Sequence, residues 1–171
     1  MNERDELLVS VAKEISTYRN ADLPNPTAEH VDRWLTQFTP SQQLPFLREF
    51  NHVIKQTFIT RENVMCFLHH LVTNQKLAGD NPTTYWSSVN FLSIQQNGRS
   101  QKEMLKLVSK CLEDECGLDL DECGEDGGDF IYIDDVMFSG NRVGNDLEPW
   151  IVNDAPQLAK VHVVVAALHS G

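Results

Sequence analysis

A chain of 171 residues, 41% apolar and 23% charged, is long enough for one domain, or one domain with a helical extension. Its 14 basic and 25 acidic side chains leave a net charge of −11, which repels phosphate backbones and argues against broad electrostatic binding of nucleic acid. Met1–Glu6 is polar and acidic where a signal peptide would be apolar, and the longest apolar run, Val161–Leu168, is far too short for a membrane span; a cytoplasmic protein with no membrane partner is expected.

The first elements are helical. Leu7, Leu8, Val11, Ile15 and Tyr18 recur at helical spacing, predicting an amphipathic helix over residues 3–19. The run Asp22-Leu-Pro-Asn-Pro-Thr27 breaks it, and Thr27 is a good N-cap for a second helix carrying Val31, Trp34, Leu35 and Phe38. Pro40 and a Ser41 cap open a third helix, with Leu44, Leu47, Phe50, Val53 and Ile54 as its stripe. Thr60 caps a fourth, with Val64, Phe67, Leu68 and Leu71 inward. Residues 1–78 are therefore predicted to form a helical subdomain.

After Asn74 the character changes. Gly79-Asp-Asn-Pro82 reads as a loop, Ser88–Ile94 as a strand, Gln95–Ser100 as a polar turn, and Lys102–Cys116 as a helix with Met104, Leu105, Val108 and Leu112 on one side. The acidic, glycine-rich stretch up to Asp129 reads as an exposed loop. A strand over Phe130–Ile133, a helix from about Val143 to Val152 and a strand Val161–Leu168 follow. Near-continuous apolar strands alternating with helices predict βαβ units, so residues 79–171 are expected to be an α/β core with a parallel sheet. Three strands are fewer than the five or so of a stable doubly wound sheet. The core is expected to be incomplete, truncated at its C-terminal end or covered by a partner at an exposed edge.

Several residue clusters carry little chemistry. Cys111, Cys116 and Cys123 lie close together, but their spacing fits no common zinc site, and with Cys66 they are expected to be reduced thiols. Asp119, Asp121 and Gly124 match parts of a calcium loop, yet Phe130 stands where the bidentate glutamate belongs. His69 and His70 suit a helix C-terminus and, being adjacent, do not share a face. His162 and His169 flank the last strand, where a strand-end turn is favoured over a base contact from His169-Ser-Gly171. Trp34, Trp86 and Trp150 read as core or rim aromatics.

The most informative stretch is Phe130–Val143, FIYIDDVMFSGNRV. A buried strand reaches two adjacent carboxylates, Asp134 and Asp135, and a small Ser139-Gly140-Asn141 turn opens a helix. Ligands of open α/β sheets bind outside the carboxyl ends of strands. Acids there accept hydrogen bonds from ribose hydroxyls or hold a divalent cation, while a loop at a helix N-terminus aims backbone N–H groups at a phosphate. The bland alternative is a strand-ending acidic turn. A two-component receiver domain also ends a strand in paired acids, but on its first strand, whereas about 129 residues precede this one. The second candidate is Gly98, Arg99 and Ser100, which offer backbone donors, a cation and a hydroxyl at a helix start. Its bland reading has Ser100 as N-cap and Glu103 completing a capping box.

The strand, the paired acids and the Ser-Gly loop resemble the 5-phosphoribosyl-1-pyrophosphate (PRPP) motif of type I phosphoribosyltransferases. The wider layout, His30–Phe38, Gly98–Gln101 and Tyr132–Gly140, is similar to a bacterial family of phosphoribosyltransferase-like proteins associated with conflict and antiphage-defence loci. That resemblance implies PRPP or a nucleotide as ligand and Mg²⁺ as cofactor. Asp134 and Asp135 would be the catalytic residues and would hold ribose and metal. Ser139, Gly140, Asn141 and Arg142 would hold the 5′-phosphate, Gly98, Arg99 and Ser100 the pyrophosphate, and the acidic loop would serve as a flap. The pattern departs at Phe138, which precedes the loop in place of a small residue, at Asn141, which would need the positive φ of a second glycine, and at Arg142, which replaces a hydroxyl. A PRPP-dependent transferase or ribosyl-cleaving enzyme, a non-catalytic nucleotide sensor, and an interaction module docking a protein through the helical subdomain or the sheet edge all remain open.

Overall fold

The computed structural model describes residues 2–18 and 24–169. The chain divides into two compact units, Met1–Val64 and Met65–Gly171.

The first unit is built from α1 (Glu3–Glu14), α2 (Ala28–Leu35) and α3 (Pro40–Thr57). Thr27 caps α2 reciprocally: its hydroxyl accepts from the His30 N–H at 3.3 Å, and the His30 ring Nδ1 accepts from the Thr27 N–H at 3.2 Å. Helix α3 begins before Ser41, because Pro40 takes the first helical position, where its missing N–H would be unsatisfied anyway. Leu8, Val11, Ala12, Val31, Leu35, Leu47 and Ile54 form the core. Trp34, read as a core or rim aromatic, is 41% exposed and rims that core, its ring 5.0 Å from that of Phe50. Of the predicted α3 stripe, Val53 faces outward. Asp22 and Leu23 of the predicted helix break lie outside the described residues.

The division falls within α4 (Arg61–Val72), which Thr60 caps through its hydroxyl, 3.2 Å from the Asn63 N–H. The second unit continues with α5 (Gln75–Ala78), α6 (Pro82–Ser88), β1 (Asn90–Phe91), α7 (Ser100–Cys116), a 3₁₀ turn (Leu120–Glu122), β2 (Phe130–Met137), α8 (Asn141–Asn153) and β3 (Val161–Leu168). The sheet is wholly parallel in the order β1-β2-β3, with Phe91 opposite Ile131 and Ile131 opposite His162. No helix among the described residues is long and apolar enough to cross a membrane.

Several element boundaries differ from expectation: α1, predicted over residues 3–19, ends at Glu14, and the larger differences lie around the sheet. The segment before β1 holds α6, started by the Asn81 side chain, which accepts from the Thr84 N–H at 3.1 Å, and anchored by Trp86. Trp86 is wholly buried and donates its indole N–H to the Val72 carbonyl at 2.7 Å. That helix takes Ser88 out of the predicted strand. The Gln101 side chain takes the Ile94 and Gln95 N–H groups, which stops the ladder at the other end, so β1 keeps two residues. Strand β2 instead outruns its predicted end, since Val136 and Met137 continue the pairing with Ala167 and Leu168.

The acidic loop is exposed in its side chains but tied through its backbone. The Gly124 N–H donates to the Ser87 carbonyl at 2.8 Å, the Asn90 N–H to the Asp129 carbonyl at 2.8 Å, and the Asn90 side-chain amide to the Glu125 carbonyl at 3.1 Å. At the amino end of β2 one oxygen of Asp129 receives Lys160 at 2.7 Å, His162 at 2.9 Å and the Tyr85 hydroxyl at 3.5 Å. The hydrogen bond from Lys160, reinforced by that from His162, holds the Asp129 carboxyl below the usual range. Burial and that nearby negative charge push Tyr85 up to about 12. A depressed acid stabilises the fold above its unfolded pKa, and that stabilisation disappears as pH falls through the folded value. Asp129→Asn is accordingly expected to cost about 1–2 kcal/mol near neutral pH. The difference in melting temperature between variant and wild type should shrink below about pH 4. A difference independent of pH would contradict the assignment.

Candidate functional site

Alternation along β2 sends Asp134 to the face of Tyr132 and Asp135 to the face of Ile131 and Ile133. Asp134 is buried, at 1% exposure, and Asp135 is exposed. The acids thus lie within the strand, in register with β3 (Asp134 opposite Val165), with Phe138 and the Ser139-Gly140 loop following. A buried carboxylate needs donors. The Asp135 N–H supplies one to Asp134 Oδ1 at 2.9 Å, and Gln95 Nε2 another to Oδ2 at 3.4 Å. Asp135 accepts from the Val136 N–H at 2.8 Å. Desolvation, followed by the negative charge of Asp134, raises the Asp135 carboxyl.

The loop turns sharply into α8. Gly140, at the N-cap, takes the left-handed conformation with φ 78° that was expected at Asn141, and Asn141 begins the helix. Glycine carries no steric penalty there, so the helix starts without strain. The Ser139 hydroxyl reaches the Asn141 N–H at 3.4 Å, while the Arg142 and Val143 N–H groups have no partner among the described residues. Free donors at a helix start have the chemistry that an anion accepts from.

A cavity of about 360 Å³ is lined by Ser100, Asp134, Asp135, Ser139, Gly140, Asn141 and Arg142, together with Val136, Met137, Phe138 and Val143. Seven of the residues singled out from the sequence therefore meet at one site. Gly98 and Arg99 are not among its walls. Arg142 donates to the Asn97 carbonyl, and a Cβ at Gly98 would stand 3.6 Å from its guanidinium, so Gly98 backs the arginine. Arg99 is exposed and occupies the N-cap position of α7, in place of the predicted Ser100. The Ser100 hydroxyl is instead 3.0 Å from Gln95 Nε2, drawn there by a side chain that also reaches Asp134. His169 lies against Phe138 in a tilted arrangement, ring centroids 5.5 Å apart and planes 37° apart, and residues 170–171 lie outside the described residues.

Three supporting residues were missed. Gln95 and the wholly buried Gln101 order the turn before α7. Asp146 on α8, 5% exposed, receives the Tyr132 hydroxyl at 2.9 Å and the Gln96 N–H at 3.3 Å. For Gln101 and Asp146 the signal was a polar residue at a core-facing helical position: Gln101 precedes Met104 and Leu105 by one turn, and Asp146 sits between Val143 and Trp150; Gln95, in the turn, carried no such signal.

Among the described residues no three His, Cys, Asp or Glu side chains gather to cage a metal. Mg²⁺, however, is commonly held by one or two carboxylates plus substrate phosphates and water. Asp135, outward-facing and crowded by a second negative charge, fits that mode, with Asp134 beside it.

A three-stranded parallel sheet whose middle strand carries an acid pair into a loop and a helix N-terminus defines a phosphoribosyltransferase-like α/β protein. The family model PRTase-CE, which describes a phosphoribosyltransferase-like family, matches residues 31–171, and the chain belongs to that family. No curated protein and no solved structure matches it.

Proposed function

We propose that the cavity at Asp134–Val143 binds a phosphorylated ribose, PRPP or a nucleotide, together with Mg²⁺, and that the protein transfers or cleaves a ribosyl bond there. The observation that carries this reading is one cavity holding both a carboxylate pair and the unpartnered N–H groups that open α8. The Arg142 and Val143 N–H groups and Ser139 would take the 5′-phosphate, and Arg142, already oriented by Asn97, would add a fork of donors. Asp134 would accept from the ribose hydroxyls. Asp135 would hold the cation, whose role when bound is to neutralise phosphate charge. Ribosyl transfer passes through an oxocarbenium-like cation, so these residues act by placing groups and stabilising charge. A bacterial defence role, implied by the sequence resemblance, belongs to the same proposal.

Titration calorimetry with PRPP and Mg²⁺ should give saturable binding by wild type, and Asp134→Asn/Asp135→Asn should weaken it at least about tenfold. Equal affinity would remove the site assignment. Pyrophosphate release with candidate bases then separates an enzyme from a non-catalytic sensor on the same site.

A further inference from the structure

We propose that Gln95 is a positioning residue that sets the hydrogen-bonding polarity of this cavity: it keeps Asp134 an acceptor and leaves the Ser100 hydroxyl to donate to an anionic oxygen of the bound sugar phosphate. The proposal rests on the function given above. A backbone N–H can only donate, so the contact from Gln101 N at 3.3 Å identifies Oε1 of Gln95. The other amide atom is therefore the NH₂ group, whose two hydrogens face Ser100 Oγ at 3.0 Å and Asp134 Oδ2 at 3.4 Å. An NH₂ group accepts nothing, so both partners must accept from it. Ser100 has one proton, and that proton is excluded from the side facing Gln95. Ser100 borders the cavity, so its O–H is free to serve a ligand there.

The amide is not free to turn over. Gln101 Oε1 accepts from both the Ile94 N–H at 2.8 Å and the Gln95 N–H at 2.9 Å, and Gln101 has no exposed surface. One buried residue thus holds the Gln95 backbone through its side chain and the Gln95 side chain through its own N–H. Gly98 lies against the same group: a Cβ there would stand 3.4 Å from Gln95 Oε1. Sequence spacing alone joins Ser100 to a capping role; the geometry makes it one arm of a three-residue relay, Asp134–Gln95–Ser100, that offers an acceptor and a donor to one cavity.

Gln95→Glu keeps the length and the oxygen facing Gln101 but replaces the NH₂ by an acceptor. The Ser100 proton is then drawn inward and a second carboxylate faces Asp134. Calorimetry with PRPP and Mg²⁺ should show affinity about tenfold weaker for Gln95→Glu. Ser100→Ala should also weaken binding on its own, yet add little in the Gln95→Glu background, a non-additivity that a general loss of structure would not produce. If Gln95→Glu lacks a cooperative thermal transition, Gln95→Met, which removes the donor without adding charge, is read by the same cycle. Absence of PRPP binding by wild type overturns the proposed function and this inference with it. Wild-type binding with Gln95 variants within twofold, or with strictly additive losses, overturns this inference alone.

Discussion

Gly128→Ala is expected to destabilise the second unit by about 3 kcal/mol or more, although residue 128 touches no ligand group. A Cβ there would stand 2.0 Å from the Ser88 carbonyl oxygen and 3.1 Å from the Asn90 side-chain nitrogen. The first of these is backbone. Ser88 is the last residue of α6, and Asn90 begins β1 by donating its N–H to the Asp129 carbonyl at 2.8 Å. Relief therefore requires pulling the chain away from the point at which β2 joins the sheet. Gly127→Ala supplies the control. Its Cβ would meet nothing within 4 Å, and only its φ of 82° is at issue. That left-handed strain costs about 1–2 kcal/mol. Urea unfolding of both variants, compared at constant m-value, separates steric overlap from backbone strain. Equal midpoints would show that the close approach at Gly128 is unimportant. Because β2 carries Asp134 and Asp135, a displaced start would also loosen the cavity.

Helical periodicity made the first unit largely legible. Thr27 and Thr60 cap as their chemistry predicts, and Leu8, Val11, Val31, Leu35, Leu47 and Ile54 are buried. The parallel sheet was legible too, because β2 and β3 read as apolar runs that suit burial by covering helices. What periodicity could not supply was competition for backbone groups. Whether β1 continues past Phe91 depends on a glutamine ten residues further on, Gln101, that intercepts two N–H donors. Whether residues 82–88 are loop or helix depends on Trp86 finding a buried acceptor at Val72. Both are long-range events invisible to a local window. The cavity itself was visible as a string of chemically suited residues, since Asp134 to Arg142 run along one strand, loop and helix start. Its supports were harder to find: a polar side chain on an apolar stripe reads as noise until its partner is placed.

Tyr132→Phe should then cost about 2–3 kcal/mol, far more than the loss of one surface hydroxyl. The Tyr132 hydroxyl donates to Asp146 Oδ2 at 2.9 Å within the cluster of Leu92, Val143 and Trp150 that seats α8 on the sheet. Burial, followed by that hydrogen bond, keeps the phenol neutral by raising its pKa. Removing the hydroxyl leaves a carboxylate oxygen desolvated with no partner, which is where most of the cost lies. Asp146→Asn preserves an acceptor for the Gln96 N–H and a polar partner for the phenol, so it should cost only about 1 kcal/mol. Tyr132→Phe combined with Asp146→Leu removes both ends of the bond, and the exposed Gln96 N–H can turn to water. The double variant is expected to be about 1–2 kcal/mol more stable than the sum of its parts, a coupling that denaturant titration of all four proteins measures directly. Additive losses would mean that Asp146 is solvated and that α8 is held by apolar contact alone. In that case the helix N-terminus facing the acid pair would owe its position to Val143 and Trp150, and PRPP affinity would be insensitive to Tyr132→Phe. With coupling, the same substitution should weaken the proposed PRPP binding, because Asp146 joins the strand bearing the acids, the helix bearing the unpartnered N–H groups and the loop that follows Gln95.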